Sequence, residues 1–115
     1  MSLDRGASAK VLLSAMRPER SRALLASVRT RDADRAAVLE REIALTRRRG
    51  WATSTEEIDP GIWAAAALVN AGHGRFAALS VPSPLVRSSD EVRVQMLKRV
   101  RAAAAEISAV MAAGG

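Results

Sequence analysis

The sequence predicts an α+β domain, with helices laid over a small antiparallel sheet. Three observations predict it. Ahead of Gly50, apolar residues recur at helical spacing in three separate stretches. In the middle, two apolar runs are joined by a short glycine-rich link, the pattern of a β-hairpin. From Ser89 to Met111 one apolar stripe steps by three or four.

The elements follow in order. Met1-Ser2-Leu3 carries no fold signal, and residues 1–4 are read as a disordered or vector-derived start. Ala7 to Ala15 suits a short helix, with Val11, Leu12 and Ala15 at helical spacing. Pro18 and Glu19 form the first turn of a second helix, because proline has a suitable dihedral there and glutamate complements the dipole. Leu24, Leu25 and Val28 are its apolar face. Thr30 to Asp34 reads as a polar connector with two candidate caps. A stronger helix runs from about Arg35 to Arg49, with Ala36, Leu39, Ile43 and Thr46 on one face. Arg35, Glu42, Arg48 and Arg49 are expected largely away from that face. Gly50 ends the helix. The run Arg47-Arg48-Arg49 is read as complementing the dipole there rather than as a phosphate contact.

Trp51 to Ser54 is a short strand and Glu56 to Gly61 a polar turn. Alanines 64–67 favour helix on propensity. The bounding Pro60-Gly61 and Asn70 to Gly74, with a second run from Phe76 to Val81, favour strands instead. Pro82 and Pro84 are expected to end that second strand. Ser88 with Glu91 reads as a capping box. The long helix follows, with Val92, Met96, Val100, Ala103, Ile107 and Met111 on its apolar face. Residues 113–115 read as a frayed tail. Three strands make a thin sheet for this many helices, so strands preceding residue 5 are expected to be missing.

Composition narrows the function classes. At 115 residues the chain is one domain. It is able to bury roughly two-thirds of the surface its unfolded form exposes. With no cysteine there is no disulfide scaffold, thiol nucleophile or cysteine-containing zinc site. No apolar run is long enough to span a membrane, and a cytoplasmic protein is expected. Lys+Arg 18 against Asp+Glu 12 leaves +6, and only Lys10 and Lys98 are lysines. The cations are scattered, and Trp51, Trp63 and Phe76 are the only aromatics. A solvated basic surface fits this better than a nucleic-acid groove. His73 stands between glycines and reads as a surface turn, not a catalytic base. Adjacent Glu56 and Glu57 read as a cap or solvent face. Trp63 is expected in the core or at an interface. No nucleophile–base pair is evident, so an enzyme is not expected, nor a cofactor or metal.

Three stretches carry a resemblance. They are Gly6-Ala7-Ser8-Ala9-Lys10-Val11-Leu12-Leu13, then Arg49-Gly50-Trp51 with Glu56-Glu57 and Gly61, then Phe76 to Pro84. In order and spacing, from about residue 5 to residue 110, the series resembles the C-terminal effector-binding domain of IclR-type bacterial transcription regulators. The resemblance implies a partial GAF-like (profilin-like) domain over residues 5–112. It implies a small-molecule effector, often an organic or aromatic acid, and dimer or tetramer contacts. It also implies DNA binding only through an N-terminal winged helix-turn-helix that is missing here.

By position, the resemblance carries ligand contacts onto Ala7, Ser8, Ser54, Ile62, Ala64, Ser80 and Pro82. A helix start offers free amides to a carboxylate, and serines donate or accept hydrogen bonds. Members of the family that the chain resembles often have glycine at Ala9, and some have an acid at Ser54 and a serine at Pro82. Those departures imply a more apolar pocket and a more hydrophobic or aromatic acid. Competing readings exist for each residue. Ser8 can bind its own backbone, Ser80 can satisfy a sheet neighbour, and the alanines can serve close packing alone. At the level of function the competitor is a ligand-free dimerisation module.

Overall fold

The computed structural model describes residues 5–114. The readings for residues 1–4 and Gly115 fall outside the described residues. Within them the order is Ala7–Ala15 (α1), Pro18–Arg31 (α2), Ala33–Arg49 (α3), Trp51–Thr55 (β1), Ile62–Gly72 (β2), Arg75–Pro84 (β3), a 3-10 turn Leu85–Arg87, and Asp90–Gly114 (α4). This is the expected α+β order, and the strand reading of the alanine run holds. A run of alanines favours helix only where packing is indifferent. Here the run becomes the central strand of an antiparallel sheet ordered β1-β2-β3.

The period-two alternation of β2 decides the layers. Trp63, Ala65, Ala67 and Val69 face α4, where Val100 and Ala104 close on them. Ala64, Ala66 and Leu68 face the opposite way, onto Ala7 and Val11 of α1. A third cluster lies behind α1, where Leu13 meets Leu25 and Val28 of α2 and Ala36, Leu39 and Ile43 of α3. α1 is thus a middle layer between the sheet and α3, and alanines on β2 let it approach closely. Trp63 is core, at 4 % exposure.

Several boundaries differ from the expectation. The connector Thr30 to Asp34 shrinks to Asp32 alone, which ends α2 and caps α3 by accepting from Arg35 N at 3.0 Å. Arg35 and Glu42 do not lie away from the packed face; both are half-buried. The hairpin link is tighter than expected, because β2 continues to Gly72 and leaves His73 and Gly74 as the turn. Both have positive φ, 54° and 73°, as a two-residue hairpin turn matching strand twist requires.

β3 ends at Pro84, as expected, but runs through Pro82: Pro82 pairs with Ala64 and Pro84 with Ile62. β3 is an edge strand, where a missing N–H breaks no ladder. The cap of α4 is Ser89, whose Oγ accepts from Val92 N at 3.2 Å. Ser88 is instead buried, with its Oγ 2.6 Å from both Ser83 Oγ and Pro84 O. α4 runs past Met111 to Gly114. Its packed stripe is Met96, Leu97, Val100 and Ala104, while Val92, Ile107 and Met111 stay 39–41 % exposed. No helix among the described residues is long and apolar enough to cross a membrane.

Candidate functional site: a cleft at the first turn of α1

α1 begins without a side-chain cap. Gly6 precedes it with φ 93°, a conformation that L side chains rarely adopt. The first amides of any helix lack partners within it. Beside this helix end lies a cleft of about 260 Å³. The cleft is lined by Ala7 and Ser8 of α1, Ser54 of β1, Ile62 and Ala64 of β2, and Ser80 and Pro82 of β3. All seven positions carried over by resemblance therefore meet in one place.

Strand register explains how. Ser54 pairs with Ala64 and Ala64 with Pro82, so three strands present these residues side by side. Ile62 and Ser80 lie one step along the same face, on either side of that row. The small Ala64 leaves room under α1, and the cleft walls are mostly apolar.

The hydroxyls are distinctive. Buried Ser14, Ser21, Ser83 and Ser88 all bond to protein acceptors. Among the described residues, the hydroxyls of Ser8, Ser54 and Ser80 have no protein partner. Ser8 and Ser80 thus make no hydrogen bond to their own backbone or to a sheet neighbour among the described residues. Ser54 is 8 % exposed, and it lines the cleft.

The cleft also contains residues the sequence did not single out for it: Arg5, Ala9, Glu57, Ile58 and Asp59. Glu57 to Asp59 belong to the β1–β2 loop, which passes over the cleft mouth. A cleft built on strand ends draws in the loop joining them, and that signal was available. What the sequence did not disclose is the role of Glu57, which is neither a cap in its own loop nor a solvent face. Its Oε1 accepts from Gly6 N at 3.2 Å and from Arg35 Nη2 at 3.3 Å. Its Oε2 lies 2.6 Å from Lys10 Nζ. Burial raises the Glu57 pKa. The hydrogen bonds from Lys10 and the Gly6 amide, with the charges of Lys10 and Arg35, outweigh it and hold the carboxyl below its usual range. Lys10 itself is 4 % exposed and also reaches Glu42 Oε2 and Thr53 O, both at 2.8 Å. Glu56 does act as a local cap, accepting from Gly61 N at 2.8 Å.

The remaining candidates lie elsewhere. His73 is exposed in the hairpin turn, as expected. The arginine run separates into different contacts. Arg47 Nε donates to Ser14 O at 3.1 Å, and Arg49 stacks 3.7 Å from the centre of the Trp51 ring.

Comparison with known proteins gives a consistent result. The family model for the bacterial transcriptional regulator IclR C-terminal region matches residues 1–109. No curated protein matches the chain significantly. Among solved structures, the C-terminal domain of a Vibrio cholerae protein described as a transcriptional regulator is similar at 32 % identity and a TM-score of 0.72, over 90 % of this chain and 62 % of that one. The C-terminal domain of the E. coli transcriptional regulator KdgR is similar at 27 % identity and a TM-score of 0.72, over 95 % and 70 %. A Rhodococcus sp. RHA1 protein, also described as a transcriptional regulator, has the same fold with a TM-score of 0.84 at 19 % identity. That match covers all of this chain and half of the other.

Proposed function

The chain belongs to the IclR family of bacterial transcriptional regulators, matching its C-terminal region, and from that premise we propose that it is a ligand-sensing and oligomerisation domain. Its ligand is a small organic acid, with a hydrophobic or aromatic body. Occupancy of the cleft alters DNA binding by a winged helix-turn-helix outside this chain, in the bacterial cytoplasm, and the domain has no catalytic activity. A ligand acts this way only through different affinity for two conformational or oligomeric states.

The observation that carries the reading is the convergence of unpartnered hydroxyls from Ser8, Ser54 and Ser80 on one apolar cleft beside an uncapped helix start. Apolar walls with a few convergent polar groups are what a small-molecule site needs.

Thermal melting against aliphatic and aromatic carboxylates tests it. A ligand at 100 times its Kd stabilises the native state by about 2.7 kcal/mol, a readable rise in midpoint. The rise is expected with aromatic monocarboxylates and is expected to fall in Ser54→Val and Ser8→Ala. A flat response across the panel overturns the reading. It would favour the ligand-free dimerisation module, for which the exposed Val86, Val94 and Val110 are the supporting observation.

A further inference from the structure

We infer that Glu57 is a specificity-determining residue: it restricts the cleft to ligands with a single carboxylate by placing the protein's own carboxylate at the start of α1. The inference rests on the ligand-sensing reading above and adds to it the charge of the ligand.

The helix start is the natural seat for an anion, because unpaired amides and the dipole both favour negative charge. In this protein part of that seat is taken. Glu57 Oε1 accepts from Gly6 N at 3.2 Å, and Glu57 is itself a wall of the cleft. Its charge is held in place by Lys10 at 2.6 Å and Arg35 at 3.3 Å. Neither cation stands ready for a ligand. Lys10 is buried; it donates hydrogen bonds to Glu57 and the Thr53 carbonyl, and its charge is also paired with Glu42 at 2.8 Å. Lys10 and Arg35 together balance Glu57 and Glu42, so this side of the cleft carries no surplus positive charge.

Arg5, which is exposed, is the only cation among the described lining residues. One ligand carboxylate pairs with Arg5 and the open amides near Ser8. A second would stand against Glu57, with Asp59 on the same loop adding to the repulsion. Like charges a few ångströms apart at a partly buried site repel by enough to cost at least about tenfold in affinity. The inner wall of Ile62, Ala64 and Pro82 calls for the apolar end of the ligand instead.

The test uses matched pairs, phenylacetate against 4-carboxyphenylacetate and hexanoate against adipate, titrated into the full chain with thermal melting and calorimetry as readouts. The wild-type protein should bind the monoacid of each pair that binds at least about tenfold more tightly. Glu57→Gln, which keeps an acceptor for Gly6 N but removes the charge, should bring the two acids of a pair within about threefold. Glu57→Asp keeps the charge and should keep the preference. Equal wild-type affinity within a pair overturns the inference, and this holds even if Glu57→Gln fails to fold. So does a preference unchanged in a folded Glu57→Gln protein. If no acid binds the wild-type protein, the ligand-sensing reading falls, and this inference falls with it. Monoacid binding with no discrimination sinks this inference alone.

Discussion

Lys10 Nζ stands 2.6 Å from Glu57 Oε2 across 47 positions of sequence, and the same ammonium lies 2.8 Å from Glu42 Oε2. One buried cation therefore joins α1 to the β1–β2 loop and to α3. Removing one partner of such a cluster costs more than the pair contributes, because the carboxylates left behind are desolvated and unpaired. Lys10→Met should destabilise the chain by about 3 kcal/mol in urea unfolding. The exposed pair Arg29–Glu40, at 3.7 Å, supplies the contrast. Arg29→Ala should stay within about 0.5 kcal/mol of wild type.

The lowered pKa of Glu57 has a consequence for acid stability. The carboxyl is more acidic folded than unfolded, where a glutamate titrates near about 4.3. Its contribution is therefore complete above about pH 4.3 and is lost as pH falls through the lower folded value. Urea midpoints taken between about pH 6 and pH 3 should fall steeply below about pH 4. Glu57→Gln should be less stable at neutral pH, and its acid slope should be shallower. Parallel curves for the two proteins would contradict this.

Gly6 and Gly50 both need positive φ, at 93° and 80°, but only one is crowded. A Cβ on Gly6 would stand 2.6 Å from Ile58 Cδ1, whereas one on Gly50 would meet nothing within 4 Å. Gly50→Ala should cost about 1 kcal/mol, the backbone term alone. Gly6→Ala should cost about 2 kcal/mol or more, because φ 93° with ψ 162° is a conformation essentially reserved for glycine. Ile58→Ala should recover little of that cost, because the crowding atom is the end of an exposed side chain that is able to turn aside. Chemical denaturation of the three variants checks this.

Adjacent serines at the start of α4 should respond differently. Ser89 caps the helix from an exposed position, so Ser89→Ala should cost about 1 kcal/mol. Ser88 links the Ser83 hydroxyl to the Pro84 carbonyl inside the protein. Ser88→Ala leaves the buried Ser83 hydroxyl without its partner, for about 2 kcal/mol. The ordering of the two thermal midpoints is the measurement. A lower midpoint for Ser89→Ala would mean that the exposed cap outweighs the buried Ser83–Ser88 link.

The elements themselves were legible because they rest on short-range physics. Hydrophobic spacing, Gly50 as a stop, and the glycine-flanked turn at His73 act within a few residues. They placed the helices and strands in the right order, and the run of alanines became a strand as its bounding turns required. The resemblance, carried by small residues and glycines, led to the seven cleft positions. The errors were also local. Nothing nearby separates Ser88 from Ser89 as a cap, and Pro82 was read with Pro84 as a strand end because the sheet-edge position that tolerates it depends on partner strands.

Tertiary structure alone decided how charge and exposure are distributed. Arg35 and Glu42 read as solvent-facing because a helical wheel knows only its own helix. They became half-buried when α1 set Lys10 against Glu42 and the β1–β2 loop set Glu57 against Arg35. Val92, Ile107 and Met111 read as core because their spacing is right, yet too little of the fold lies against them to bury them. The place of Glu57 at the start of α1 follows from a contact 51 residues apart in sequence. Residue type and spacing determine which local structures form. Which charges are buried and paired is set by distances between elements, and those exist only once the layers have packed.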